Sequence, residues 1–302
     1  MAKILKVKYI NAGVSTLLVG NMRLKSSILM LGILLAATLF YFMFSWKQKV
    51  EYTEVKCGYV DLVEIIVLVD NYPSLYEPSL KTAWGISMLV KVGNVTILFD
   101  TGPSPEVLEH NCRVLGVDLS EVDFVVISHE HGDHVGGLPY LAKVKPGCRV
   151  YVPSRMSSFT KNWIKSLNLT LIEVKKTTVI AKGVVILGEL YGPPWEQALV
   201  VNTSQGLVVL VGCSHPGIVN IVDKAVKEVK NIPYLVLGGF HMASCSRDTC
   251  IKVVEELLKK GARFIAPIHC SGDTIREVLE SKYPKHYLKA NIGARIRVGG
   301  SA

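Results

Sequence analysis

The sequence predicts an α/β domain of helix-covered sheets, preceded by a single apolar helix near the N-terminus. Three observations predict it. Short, continuously apolar runs rich in β-branched residues alternate with amphipathic helical stretches. Six of the eight histidines stand at or just past the end of such a run. Finally, Ser27 to Trp46 carries no charge, a length sufficient to cross a bilayer as a helix.

The apolar run is bracketed by Lys25 and Lys47, with Tyr41 and Trp46 where interfacial aromatics are favoured. It is longer than the core of a cleaved signal peptide and lacks a small-residue cleavage site, so a retained single-pass anchor over 27–46 is the expectation. Residues 1–26 are read as a basic segment, 47–56 as a charged linker and 57–302 as the main domain. Seven of the 34 basic groups and none of the 25 acidic ones lie in the first 50 residues, leaving the remainder almost balanced. The basic surplus therefore suits a membrane surface or topology selection and does not indicate nucleic acid. Five basic residues before the run favour that side as cytoplasmic, with the main domain leaning extracytoplasmic.

After the linker, LVEIIVLVD reads as a strand, and SMLVKVGNVTILFD as two strands joined at the turn pair Gly93-Asn94. PEVLEHNCRVLG reads as a helix and VDFVVIS as a strand. GLVVLVG, YLVLGG and ARFIAPI are further strands, separated by the helical stretches PGIVNIVDKAVKEVK and RDTCIKVVEELLKKG. GDTIREVLESKY closes the series as a helix. Seven cysteines, an odd number, make no disulfide framework; Cys245 and Cys250 could bridge across a short loop or remain reduced thiols.

The chemistry concentrates in His129-Glu130-His131-Gly132-Asp133-His134, directly after an apolar strand. Four ligand-type side chains within six residues would be costly to bury without partners, and their mixed nitrogen and oxygen donors suit zinc (Zn²⁺) or its neighbours iron and manganese. In a tight turn, His129 and His131 can face one ion while Asp133 and His134 turn to a second. Gly132 and Gly136-Gly137 are expected to permit a close backbone path. His110 and His286 read as ordinary surface or helix residues.

VVISHEHGDHVGGL resembles the signature of the metallo-β-lactamase superfamily, and ILFDTG its upstream aspartate motif. The resemblance covers about residues 57–298 and implies an αββα sandwich with a one- or two-metal site between the sheets. VLVDN, ILFDTG, SHEHGDHVGGL, GLVVLVGCSHPGIVNIV, LGGFH and PIHCSG, in this order, are similar to the branch named for 7,8-dihydropterin-6-methyl-4-(β-D-ribofuranosyl)-aminobenzene-5′-phosphate synthase. That name implies joining a pterin to a ribosylated aminobenzene with loss of diphosphate. Trp84-Gly85 stands where the branch has a His-Gly pair.

The superfamily pattern implies a further histidine for the first metal, a bridging acid and a last histidine for the second. No histidine lies between His134 and His215, which makes His215 the candidate for the first metal; His269 is the candidate for the second. Cys213 occupies the place of the expected aspartate and is either a thiolate ligand or a buried, inert thiol. His241 is assigned to substrate contact or proton donation to the leaving group. Asp100 either orients a ligand histidine or serves as a strand-terminal structural residue. The expectation is a metal-dependent hydrolase with a two-ion centre that uses a metal-activated water on a phosphorylated small molecule or related ester, with Asp133 holding the nucleophile in line. A pterin-linked transferase and a non-catalytic metal-binding module are the alternatives.

Overall fold

The computed structural model describes residues 52–300. The expected anchor over 27–46 lies outside the described residues, as does the first half of the linker. Among the described residues, no helix is long and apolar enough to cross a membrane. This corrects the expected single-pass membrane location: the long apolar runs of the described residues are strands, and their side chains are covered by the opposing sheet and by helices.

Two sheets form the centre. The first has the order β13-β1-β2-β3-β4-β5-β6, built from β1 (Leu62–Val69), β2 (Ser87–Val92), β3 (Val95–Phe99), β4 (Phe124–Val126), β5 (Arg149–Pro153), β6 (Thr170–Val174) and β13 (Arg295–Gly299). The second has the order β12-β11-β10-β9-β8-β7. Its strands are β7 (Thr178–Ala181), β8 (Val184–Tyr191), β9 (Trp195–Thr203), β10 (Gly206–Val211), β11 (Pro233–Gly239) and β12 (Phe264–Ile268). β3 through β6 run parallel, as do β10 through β12.

Helices cover both outer faces. Over the first sheet lie α1 (Pro105–Leu115), the four-residue α2 (Gly132–Val135), α3 (Leu138–Val144) and α4 (Ser158–Ser166). Over the second lie α5 (Ile218–Val229), α6 (Arg247–Lys259) and α7 (Asp273–Lys282). α1 begins with Pro105 behind the Ser104 cap and ends at Gly116 in the left-handed region.

The alternation of β1 explains the layering. Val63, Ile65 and Val67 point between the sheets, where they join Val208, Leu210, Leu235 and Leu237. Ile66 and Leu68 point the other way, onto Leu108 and Leu138 of the helical layer. On the far side, Val209 and Val236 pack with Ile221, Val254 and Val278. Strands buried on both faces read as continuous apolar runs, which is why they are visible in the sequence.

Each strand and helix named in the sequence corresponds to an element here. β5 through β9, α2, α3, α4 and β13 are additional. All seven cysteines, Cys245 and Cys250 included, are free thiols. Residues 52–56 are tied to the domain: the Thr53 and Val55 backbone N–H groups donate to the Glu228 side chain and carbonyl of α5, at 2.8 and 2.9 Å.

Candidate metal centre

The parallel strands of both sheets end along one edge, and the chemistry-bearing residues follow those ends. Asp100 follows β3, His129 closely follows β4, Cys213 and His215 follow β10, and His241 and His269 follow β11 and β12. Asp100, Ser214, His241 and His269 all have φ between 53° and 62°. Such left-handed conformations are uncommon outside glycine and concentrate where a structure holds a side chain in a required direction.

The motif turn is pressed onto the Asp100 loop. A Cβ at Gly136 would meet the Pro103 carbonyl oxygen at 2.1 Å, and one at Gly137 would meet that of Thr101 at 2.1 Å. Those two glycines provide the expected close backbone path. Gly132 does not, because a Cβ there meets nothing within 4 Å.

Two donor sets result. His129, His131 and His215 bring ligand atoms within 4.8 Å of one another, and so do Asp133, His134, Cys213 and His269. His129 Nε2 lies 3.1 Å from His131 Nδ1, and the His129 ring is 4.7 Å from that of His215. In the second set, Cys213 Sγ lies 3.2 Å from His134 Nε2 and 3.4 Å from His269 Nε2, while Asp133 Oδ2 lies 3.3 Å from His269 Nε2. His241 stands beside the first set, its ring 4.6 Å from that of His215. His110 and His286 bind the backbone carbonyls of Ser79 and Arg263, away from this edge.

Hydrogen bonds behind the rings decide which nitrogens face inward. Asp100 accepts from the Ser128 backbone N–H and hydroxyl, and from His134 Nδ1, each at 2.7 Å. With its proton on Asp100, the Ser128 oxygen accepts from His129 Nδ1 at 2.9 Å. Glu196 accepts from His215 Nδ1 at 3.0 Å. In all three rings the proton is held on Nδ1, so Nε2 presents its lone pair to the centre. Lone pairs converging on one another, a carboxylate and a thiol repel unless a cation lies among them. The donor chemistry therefore fits one or two metal ions.

Burial acts in the same direction. It keeps the His129 imidazole well below its usual range, helped by the nearby His134, and pushes His134 down to about 3. Both rings are neutral lone-pair donors at neutral pH. Burial opposes the Asp133 charge, yet the hydrogen bond from His269 and the nearby His134 hold its carboxyl well below the carboxylate range. Burial raises Asp100 against the two Ser128 hydrogen bonds. The Cys270 thiol beside it, together with burial, pushes the Cys213 thiol far up.

Glu196 is the functional residue that the sequence reading misses. Its Oε1 accepts from the Cys213 and Ser214 N–H groups at 3.0 and 2.8 Å, and its Oε2 from the His215 N–H at 2.8 Å. Burial opposes its charge, but these donors and the His215 ring hold its carboxyl at about 2. An acid inside the strand-forming run WEQALVVNT is the signal that could have found it. Asp70, at the end of β1, holds the His269 backbone N–H at 2.8 Å. Glu130 turns away from the centre and accepts from the Ser157 N–H and Thr160 hydroxyl of α4, at 3.2 and 3.0 Å.

The rim is aromatic and basic. Trp84, 57% exposed, stands with its ring 5.0 Å from that of His269. On the other side, the β8–β9 turn packs its Gly192 against the His215 backbone. The same hairpin carries Trp195, whose ring lies 4.0 Å beneath the Arg155 guanidinium.

Comparison with known proteins agrees with this geometry. Residues 86–223 match the Metallo-beta-lactamase superfamily. The chain is 26% identical over 295 residues to the 7,8-dihydropterin-6-methyl-4-(beta-D-ribofuranosyl)-aminobenzene-5'-phosphate synthase of Methanocaldococcus jannaschii, covering 80% of this chain and 98% of that protein. Among solved structures it resembles a metal-dependent hydrolase of the β-lactamase superfamily, with a TM-score of 0.67 and 28% identity, over 79% of this chain and 100% of that one. A diphosphatase from the PhnP family shares the fold, with a TM-score of 0.54 and 14% identity over 78% of this chain and 97% of that one.

Proposed function

We propose that this chain, a metallo-β-lactamase-fold, metal-dependent enzyme whose family domain spans residues 86–223, hydrolyses a phosphoester or a related small ester. The observation that carries the reading is the pair of adjacent donor sets, one of three histidines and one of Asp133, His134, Cys213 and His269. In this reading the first set holds one divalent cation and the second set another, zinc being the expected metal and iron or manganese the other candidates. Residues 57–302 then constitute the catalytic domain.

Bound there, the ions supply Lewis-acid activation of water and of the scissile group. The chain supplies the rest. Asp100 and Glu196 fix the tautomers of the ligand rings, so that the donors are oriented before substrate arrives. Asp133, held ionised, positions the attacking oxygen by accepting its hydrogen bond. His241 stands at the surface beside His215, and partial desolvation of its ring and that neighbouring ring lower its pKa. Once charged, it readily passes a proton to the leaving oxygen. Arg155, on the rim, offers a planar cation to a phosphate group.

The test uses the full chain with added zinc or manganese and an aryl phosphodiester, alongside His131→Ala. The His131 side chain is exposed, so its removal takes away a donor without opening a cavity. Metal-dependent release of the aryl alcohol by the wild type, abolished in a folded His131→Ala variant, is expected. Likeness to the archaeal synthase favours a second reading, transfer of a pterin group with loss of diphosphate. Diphosphate release from a dihydropterin diphosphate and a ribofuranosylaminobenzene phosphate, with no ester hydrolysis, would replace the hydrolase reading.

A further inference from the structure

Three neighbouring strands of the second sheet, in the order β12-β11-β10, each deliver one soft or borderline donor to the same point. β10 leads to Cys213, β11 to His241 and β12 to Cys270. Adjacent strands lie about 4.8 Å apart, so residues just past matching ends arrive at spacings a single ion can span. The two sulfurs and one ring nitrogen lie within 4.8 Å of one another. Cys213 and Cys270 are 4% and 5% exposed, and both are free thiols.

The surroundings leave room for sulfur. A Cβ at Gly239 would meet Cys270 Sγ at 2.7 Å, so glycine at that position leaves the space the sulfur occupies. Cys270 Sγ makes only a long hydrogen bond to the backbone, 3.7 Å to the Cys213 carbonyl oxygen. His241 is exposed and opens the group to solvent.

We propose that Cys213, Cys270 and His241 form a binding site for a thiophilic d¹⁰ cation such as Cd²⁺ or Cu⁺, distinct in donor softness from the two sets above. Two sulfurs and one imidazole favour such ions over the harder cations that carboxylate-containing sets accept. On binding, two S–H bonds are replaced by two sulfur–cation bonds, and two protons pass to solvent. Cys213 belongs to both this site and the set of Asp133, His134 and His269, so a cation here engages a donor of the catalytic centre. It also withdraws His241 from the substrate. A soft cation bound here would thereby compete with the second donor set for Cys213.

The site is tested without substrate, so its failure leaves the hydrolase reading standing. The metal-free full chain is titrated with Cd²⁺ alone while the ultraviolet thiolate-to-cadmium charge-transfer band is followed. Expected is a wild-type band of two-thiolate intensity that falls about twofold in Cys270→Ser and is unchanged in Cys245→Ser. His241→Ala should weaken cadmium affinity while the thiolate count stays at two. Cadmium NMR of the unmodified wild type serves should Cys270→Ser fold poorly, and a resonance in the two-sulfur range is expected. A full-intensity band in folded Cys270→Ser, or a wild-type resonance typical of one sulfur or of oxygen and nitrogen donors alone, would overturn the proposal.

Discussion

Glu196 Oε2 lies 3.0 Å from the Nδ1 of His215 and 2.8 Å from its backbone nitrogen. One carboxylate oxygen thus sets both the path of the loop and the tautomer of the ring it carries. The other oxygen holds the two preceding N–H groups. Among the charged residues near the centre, Glu196 does this from inside the second sheet, at 2% exposure.

Replacing it tests that relationship. Glu196→Gln keeps the shape but removes the charge that favours a protonated Nδ1 on His215. Zinc affinity is expected to fall by about 10–100-fold, measured by competition with a chromophoric chelator, with the far-UV circular dichroism unchanged. Unaltered affinity would mean that the ring needs no partner.

Arg155 gives a prediction about the substrate. Its side chain is 44% exposed and its Nε lies 3.6 Å from Glu189 Oε1, so it is anchored but reachable. Arg155→Ala should raise KM for a phosphate ester severalfold with little change in kcat, as expected for uniform binding of the phosphate. An equal loss for a neutral ester would argue against a phosphate contact.

Stability gives a third. Glu228 is fully buried on α5, paired with Lys224 at 2.7 Å, and accepts from the Thr177 hydroxyl and the Thr53 N–H. Removing one partner strands a buried charge. Glu228→Ala is expected to lower unfolding free energy by about 3–5 kcal/mol, read from denaturant melts against a Glu228→Gln comparison that should lose less.

The pH dependence follows from Asp223. Partial burial opposes its charge, but Lys227 and Lys260, at 2.7 and 2.8 Å, hold its carboxyl at about 2; the Tyr52 hydroxyl also donates to it. The folded value lies below the unfolded value of about 3.9. Its stabilisation is therefore complete above about pH 4 and is lost as pH falls through about 2. The acid-unfolding curve of Asp223→Asn should be flatter than wild type in that window; superimposable slopes would contradict the assignment.

The elements legible in the sequence were those whose pattern is local. β1, β10, β11 and β12 are buried on both faces and read as unbroken apolar runs, and α5 and α6 as amphipathic stretches. β7 is short and half-exposed, and β9 opens with Trp195, Glu196 and Gln197, so neither announces itself. Gln197 is polar in a strand because it spans to the first sheet, its amide donating to the Ile127 carbonyl at 2.9 Å. Nothing local encodes that need.

The sequence by itself determined the fold class, the histidine-rich turn and the identity of most donors, because alternation and ligand spacing are properties of neighbouring residues. Only the tertiary structure decided which donors share a set, which ring nitrogens face inward and that Glu196 and Ser128 enforce it. Those are relations between strand ends far apart in the chain, brought together by the packing of two sheets. The pairing of Cys213 with Cys270 is of the same kind: it exists because β10 and β12 flank one strand, at a separation of 57 residues.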